Sequence, residues 1–363
     1  MTRDTKMADF NKKLHARMKK KATEKKRAQE HRQLARYYNL NSILGNHWAM
    51  FYAIIGSRKT GKSYSVTDFL LRQHLRYGEG CKNYWMRISE SSTKALLLNR
   101  ADKLVDPDLK RKYDVDLTTK GPEVFNHGKV FCTVLPLSQF GKQKGIAYYD
   151  KDFKGKYNIV LDEFQLEEGE KRTSFDILYS FIQMLENLVR TEKQNVRVFL
   201  LGNTLEEACS ILKAFNFLPE KFGRFYLRSK RCVIDNLEPT EEYLADRKGS
   251  LADILGGDNM SNYTNMLKKD TRLITKERLI SPVCRIVFSK DRVYTLWSGN
   301  IIRLSRGEFA PYDVAMRPYL GIAFNREKAQ TVFERYDAEA FKFASLIDQA
   351  YFSDDLKLLK KGR

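Results

Sequence analysis

A chain of 363 residues is too long for one small domain and suits two compact ones. With 42% apolar and 30% charged residues, it has the composition of a globular protein and not of a disordered or fibrous one. Its formal charge of +20 calls for a polyanionic partner: DNA, RNA or an anionic membrane surface. Five scattered cysteines (Cys81, Cys132, Cys209, Cys232, Cys284) form no CxxC pattern, which argues against a disulfide framework and for a reducing compartment. The chain opens without a signal-peptide stretch and holds no run of about 18 apolar residues. A cytosolic protein with no membrane span is expected.

Residues 1–36 hold 13 Lys/Arg against 4 Asp/Glu, a net +9. They are rich in helix formers but lack an apolar stripe, so they read as a basic arm, helical only when docked or bound to phosphates. Met50 to Ile55 is an apolar run of the length of a buried parallel strand. A glycine-bearing loop follows, then a helical pattern from Lys62 to about Tyr77, and a second strand from Asn83 to Ile88. Residues 90–120 read as helical and charged. Glu123 to Phe125 and Lys129 to Leu135 flank a turn at Asn126-His127-Gly128, the pattern of a hairpin. Tyr157 to Leu161 is a third buried strand, ending in Asp162-Glu163. An amphipathic helix is expected from Thr173 to Arg190, with Thr173 and Asp176 as a capping box. A fourth strand, Val196 to Leu201, runs into Gly202-Asn203-Thr204. Strands alternating with helices predict a parallel, doubly wound sheet.

Beyond about 226 the pattern changes, with a connecting helix and loop over 241–257. Val283 to Phe288, Arg292 to Trp297 and Ile301 to Leu304 predict an antiparallel meander, and a last helix is expected from about Asp337 to Phe352. The expected organisation is an arm (1–36), an α/β domain (37–227), a linker region (228–275) and a smaller α+β domain (276–363).

The chemistry is carried by Gly56-Ser57-Arg58-Lys59-Thr60-Gly61-Lys62-Ser63, a GxxxxGK[ST] loop between a strand and a helix, followed by Tyr64. Gly56 and Gly61 let the backbone curl so that successive N–H groups face a phosphate, and the helix N-terminus adds its dipole. Lys62 is placed to reach the β- and γ-phosphates of ATP, and the Ser63 hydroxyl to take a Mg²⁺ position. Asp162, at the carboxyl end of an apolar strand, fits a second Mg²⁺-linked carboxylate of the Walker-B kind. Glu163 fits the general base that polarises water, so the pair points to an ATPase. Asn203 ends the next strand, either sensing the γ-phosphate and the lytic water or capping a helix. Arg58 and Arg190 are each either a solvated charge or an arginine aimed at a γ-phosphate.

Together these motifs resemble the DNA-packaging ATPases of φ29-type podophages, short relatives of large terminase subunits. The resemblance rests on Ile54 to Tyr64, on Arg76-Tyr77-Gly78-Glu79 with the aromatic strand ending in Arg87, and on Leu135 to Ser138 through Lys144 to Ala147-Tyr148. It continues through Ile159 to Phe164, Glu186 to Arg190, Leu200 to Asn203 and Phe215 to Pro219, so that it spans residues 37–225. It implies a P-loop domain of the ASCE type in a homomeric ring, a pentamer, docked on a capsid portal in the host cytoplasm and driving double-stranded DNA into a procapsid. It also implies that Arg190 is a trans-acting arginine finger and that Lys144 lies near the neighbour's nucleotide. A structural RNA between motor and portal stays open. In terminases the C-terminal domain is an RNase H-like nuclease. Here Val283 to Phe288 contains Cys284 and Arg285 and no carboxylate, and Asp291 and Asp313 have no obvious partners, so a degenerate nuclease fold that binds without cutting is expected. The rival readings are another P-loop ring motor, a helicase or a DNA-transfer ATPase, and a nucleotide-switched assembly protein.

Overall fold

A computed structural model of the chain describes residues 38–139, 152–165, 175–190, 195–203, 209–250, 254, 271–289, 292–305, 318–321 and 326–361. The arm, Lys144 and Thr173 lie outside them. In chain order the elements of the first part are α1 (Asn41–Leu44), β1 (Phe51–Ile55), α2 (Lys62–Tyr77), β2 (Cys81–Arg87), α3 (Glu90–Ala101) and α4 (Pro107–Tyr113). There follow β3 (Leu117–Lys120), β4 (Glu123–Asn126), β5 (Lys129–Pro136), β6 (Lys156–Asp162), α5 (Ile177–Val189) and β7 (Val196–Gly202). The remainder is α6 (Ser210–Ala214), β8 (Gly223–Leu227), β9 (Cys232–Asn236), α7 (Glu241–Arg247), β10 (Pro282–Ser289), β11 (Arg292–Trp297), β12 (Ile301–Leu304), β13 (Pro318–Gly321), α8 (Arg326–Asp337), β14 (Lys342–Phe343) and α9 (Leu346–Lys361).

Two compact units result. The first takes the described residues up to 203, together with 223–254. The second takes 209–222 and the residues from 271 onward. The first unit is built on a nine-stranded sheet in the order β3-β4-β5-β2-β6-β7-β1-β9-β8. The six strands from β5 to β9 along that order pair in parallel, with antiparallel β3 and β4 at one edge and β8 at the other. The parallel strands are buried over most of their length, as strands covered on both faces must be, and so read as continuous apolar runs. Tyr52, Ile54, Phe69, Leu70, Trp85, Val160 and Phe199 meet in the main core. Local signals set the helix starts: the side chain of Ser89 accepts from the Ser92 N–H, Asp106 from Asp108 with Pro107 at the first helical position, and Thr240 from Tyr243.

Several elements depart from the sequence expectations. The 90–120 stretch is not continuously helical, because Leu98, Asn99 and Arg100 leave helical dihedrals and β3 forms beyond α4. Helix α5 starts at Ile177, and Asp176 caps it by accepting from the Tyr179 N–H at 3.0 Å; the Thr173 end of the expected capping box lies outside the described residues. The expected boundary at 227 cuts through the β8–β9 hairpin, since β9 pairs with β1 and carries the sheet to Asn236. In the second unit the meander β10–β11–β12 gains a parallel strand at each edge, β13 on β10 and β14 on β12. The expected last helix over 337–352 is instead the end of α8, the short β14 and the first half of α9. Phe352, fully buried, anchors α9 on Phe288, Tyr294, Phe341 and Phe343.

Candidate ATP site at the carboxyl edge of the sheet

Because β1, β2, β6 and β7 run parallel, their carboxyl ends share one edge of the sheet, where ligands of such folds collect. Registers of Met86 with Leu161, Asp162 with Leu201 and Ile55 with Gly202 bring the strand-end residues Arg87, Asp162, Asn203 and Gly56 together there. One strand, β7, separates the loop-bearing β1 from the acid-bearing β6. That is an ASCE-like arrangement.

The 56–63 loop leaves β1 and enters α2 through Gly61, whose φ of 81° is left-handed and needs glycine. Its N-cap, Gly61, has no side chain to cap α2, so among the described residues the first-turn N–H groups remain for an anion. Lys62 is 7% exposed and folds back over the loop, donating to the carbonyls of Gly56 and Ser57, both at 2.7 Å. Burial pushes its pKa down to about 8; Arg58 adds to that, while Asp162 and Glu163 oppose it. The Ser57 hydroxyl is buried and has no partner among the described residues. A buried ammonium resting on backbone carbonyls, an orphaned hydroxyl and an uncapped helix start are a donor set suited to a triphosphate. Lys59 and Thr60 shape the loop, the Thr60 hydroxyl donating to the Ser57 carbonyl at 2.9 Å; Arg58 and Lys59 are exposed, as are Ser63 and Tyr64.

Asp162 is 4% exposed at the end of β6. Arg87 donates to its Oδ2 twice, at 3.1 and 2.8 Å, which leaves Oδ1 for a cation. The same guanidinium lies 3.3 Å from Glu163, whose side chain is half-exposed. Glu163 has a left-handed φ of 54°, a conformation that costs of order 1–2 kcal/mol in a non-glycine residue and collects at functional sites. Phe164 holds this turn, buried against Gly202, where a Cβ would stand 2.7 Å from its ring. Asn203 is half-buried at the tip of β7. The next described helix, α6, is capped by Cys209, so Asn203 does not serve as its N-cap.

Arg190 is exposed at the carboxyl end of α5, with a φ of 45°. Helix α5 leads from the carboxyl end of β6 to the amino end of β7, so the chain carries Arg190 away from its own loop and toward the opposite edge of the sheet.

Three residues that the sequence reading did not assign to the site support it. Arg87 bridges both acids; the signal in the sequence is its position at the end of an aromatic strand. The Tyr243 hydroxyl donates to the Arg58 carbonyl at 2.8 Å. Tyr38 clasps the loop from the entering chain, its N–H donating to the Thr60 carbonyl at 2.8 Å and its carbonyl accepting from the Ser65 hydroxyl. Its phenol donates to Asp235, which Arg224 also binds at 2.8 Å.

A family model described as podovirus DNA encapsidation protein (Gp16) matches residues 33–295. The DNA packaging protein of Bacillus phage phi29 is 24% identical over 259 residues, covering 70% of this chain and 72% of that protein. The corresponding protein of Bacillus phage PZA is 24% identical over 223 residues, 60% of this chain and 62% of the relative. Among solved structures, the bacteriophage Phi-29 viral genome packaging motor assembly aligns with a TM-score of 0.61 at 19% identity, over 90% of this chain and 100% of that one. The Phi-28 gp11 DNA packaging motor aligns with a TM-score of 0.59 at 14% identity, over 90% and 98%. These structures share the fold. The match over residues 33–295 shows more: the chain belongs to the podovirus DNA encapsidation protein (Gp16) family.

Proposed function

We infer that this chain is the subunit of a viral DNA-packaging motor that couples ATP hydrolysis to translocation of double-stranded DNA into a procapsid. The observation that carries the reading is the convergence of the 56–63 loop with Asp162 and Glu163 at one edge of a parallel sheet, in a member of this family. In this reading the first-turn N–H groups of α2 and Lys62 hold the phosphates, with residues 56–64 as the cradle. Ser63 and Oδ1 of Asp162 would hold Mg²⁺, which neutralises charge on the transferring phosphoryl group. Glu163 takes the proton of the attacking water, for which its half-exposed carboxylate is accessible, and Asn203 orients that water. Arg190 acts on a neighbour's nucleotide within a homomeric ring, a pentamer; its placement away from its own loop supports a role in trans. Lys144 keeps its part at the subunit interface on the resemblance alone.

The partners that follow are duplex DNA, the portal of the procapsid and the neighbouring subunits, in the host cytoplasm, with a packaging RNA as a further candidate. The second unit is read as a degenerate RNase H-like fold that binds without cutting. Its buried acids support this, being committed to structural bonds: Asp348 accepts from the Leu304 N–H at 3.0 Å, and Asp355 from the Tyr294 hydroxyl at 2.5 Å. Glu163→Gln tests the reading. The variant should bind ATP but lose turnover and packaging together, whereas a nucleotide-switched assembly protein would keep its assembly function.

A further inference from the structure

The edge of the sheet opposite the ATP site begins with cations. Lys82 is the second residue of β2, Lys156 the first of β6 and Arg197 the second of β7, while Arg231 immediately precedes β9. These strands run parallel, so all four stand at the same, amino-terminal edge. Arg76, in the last turn of α2, and Arg228, in the turn between β8 and β9, extend the row. From β2 to β9 there are four strand spacings, on the order of 19 Å.

Aromatic faces hold several of these cations. The Lys156 ammonium lies 3.8 Å from the centre of the Tyr77 ring and Lys82 4.4 Å from that of Phe153. The Arg228 guanidinium lies 4.4 Å from the centre of Trp48, and Arg76 5.2 Å from that of Tyr77. Among the described residues, Arg76, Lys156 and Arg228 take part in no ion pair. Arg72, Lys110, Arg111 and Lys112 of the same unit, by contrast, each pair with an aspartate. The distinction matters because a carboxylate neutralises its partner, whereas a ring fixes a cation in place and leaves its charge projecting to solvent. Tyr77 registers that field. Its phenol is held below the usual range, first by the neighbouring Lys156 ammonium and then by the charges of Arg76 and Arg197. Glu79 and Asp152 are carboxylates close in sequence, in the segments that lead into β2 and β6.

The base of the row is rigid. A Cβ on Gly155 would meet the Gly80 carbonyl oxygen at 2.3 Å, so the segments entering β2 and β6 lie in direct contact and hold Lys82 and Lys156 on adjacent strands. A row of cations along this edge, with Arg76, Lys156 and Arg228 in no ion pair among the described residues, suits a repeating anion, and duplex DNA presents a phosphate about every 3.4 Å per strand along its axis.

We propose that the amino-terminal edge of this sheet is a contact surface for the sugar–phosphate backbone of duplex DNA, on the far side of the sheet from the ATP site. This rests on the packaging reading, in which the load must be held without regard to sequence. The test uses the full chain and a duplex DNA oligonucleotide, with affinity measured against salt. The triple variant Arg76→Gln/Lys156→Gln/Arg228→Gln should lower the slope of log affinity on log salt by about 2 to 3. It should keep the wild-type rate of ATP turnover without DNA. Replacing the exposed Lys103, Lys120 and Lys129 by glutamine removes equal charge and should leave the slope within about 1 of wild type. An unchanged slope in the first variant, with wild-type binding intact, overturns this surface alone. Failure of the wild-type chain to bind duplex DNA at all overturns the packaging reading beneath it. A reduced slope on duplex RNA of the same sequence but not on DNA overturns the DNA assignment, and loss of DNA-independent turnover with the slope intact marks the edge as a subunit junction instead. If the triple variant misfolds, Lys156→Gln alone, expected to lower the slope by about 1, decides the question.

Discussion

The hydroxyl of Tyr243 donates to the carbonyl of Arg58 at 2.8 Å, joining α7 to the middle of the phosphate loop across 185 positions of sequence. Tyr243 is 7% exposed, and Arg247, one turn on, lies 5.2 Å from the centre of its ring. The bond fixes the direction of a peptide within the loop. Tyr243→Phe removes the hydroxyl and keeps the packing, at a cost of about 1 kcal/mol. Nucleotide affinity should therefore weaken roughly fivefold, with little change in the maximal rate. A titration with a fluorescent ATP analogue beside steady-state kinetics checks this; a fall in kcat at unchanged affinity would count against a loop-positioning role.

Arg87 and Asp162 form an ion pair that is nearly buried, with side chains 20% and 6% exposed. Arg87→Ala leaves the buried carboxylate without its cation and should lower stability by about 3 kcal/mol. A divalent cation with nucleotide can substitute for the missing charge. The gain in melting temperature on adding Mg²⁺ and ADP should then be larger in the variant than in the wild-type chain. Equal gains would mean that Asp162 does not take part in cation binding.

Lys62 gives the pH dependence. Its pKa in the folded chain, about 8, lies below the 10.5 of an ordinary lysine. Between those values the unfolded chain binds more protons, so stability rises with pH through that window. Below about 8 the cost of burying the charge is fully present. Triphosphate binding favours the ammonium, so ATP affinity should decline as pH rises above about 8, and binding at that pH should take up a proton. Calorimetry in buffers of different ionisation enthalpy detects the uptake. In Lys62→Met both the uptake and the stability trend should disappear.

Arg190 is tested by mixing. If a neighbour's arginine completes each site, rings assembled from wild-type and Arg190→Ala subunits should lose ATPase activity out of proportion to the mutant fraction. Activity strictly proportional to the wild-type fraction would show that each subunit works alone.

The first half of the site was legible because its signals are local. β1, the glycine loop and α2 are contiguous, and β6 and β7 are continuous apolar runs that stop at Asp162 and Asn203. β9 was missed because it carries Asp235 and Asn236, polar residues that break the apolar pattern. Asp235 is buried there only because Tyr38 and Arg224 bind it. β8 was missed because an edge strand that is half-exposed along its length has no strong alternation. The role of Arg87 follows from the register of β2 on β6, which a single strand does not announce, and the Tyr243 bond ends on a backbone carbonyl that leaves no trace in residue identity.

The path of the chain after β7 bears on how the molecule can be divided. Residues 209–222 belong to the second unit, although the chain returns from them to form β8 and β9 of the first. Within the second unit Lys213 pairs with Asp354, and its carbonyl accepts from the Tyr351 hydroxyl at 2.8 Å. The two units are therefore interleaved in sequence, and no single cut separates them. Truncation after 254 would leave Lys213 stranded inside the ATPase fragment with neither partner. A clean excision would have to replace 209–222 by a short turn as well as remove the tail. The same interleaving means that insertions, recombination or domain exchange at a single point cannot swap the second unit for another, so in such a chain the two halves are inherited together.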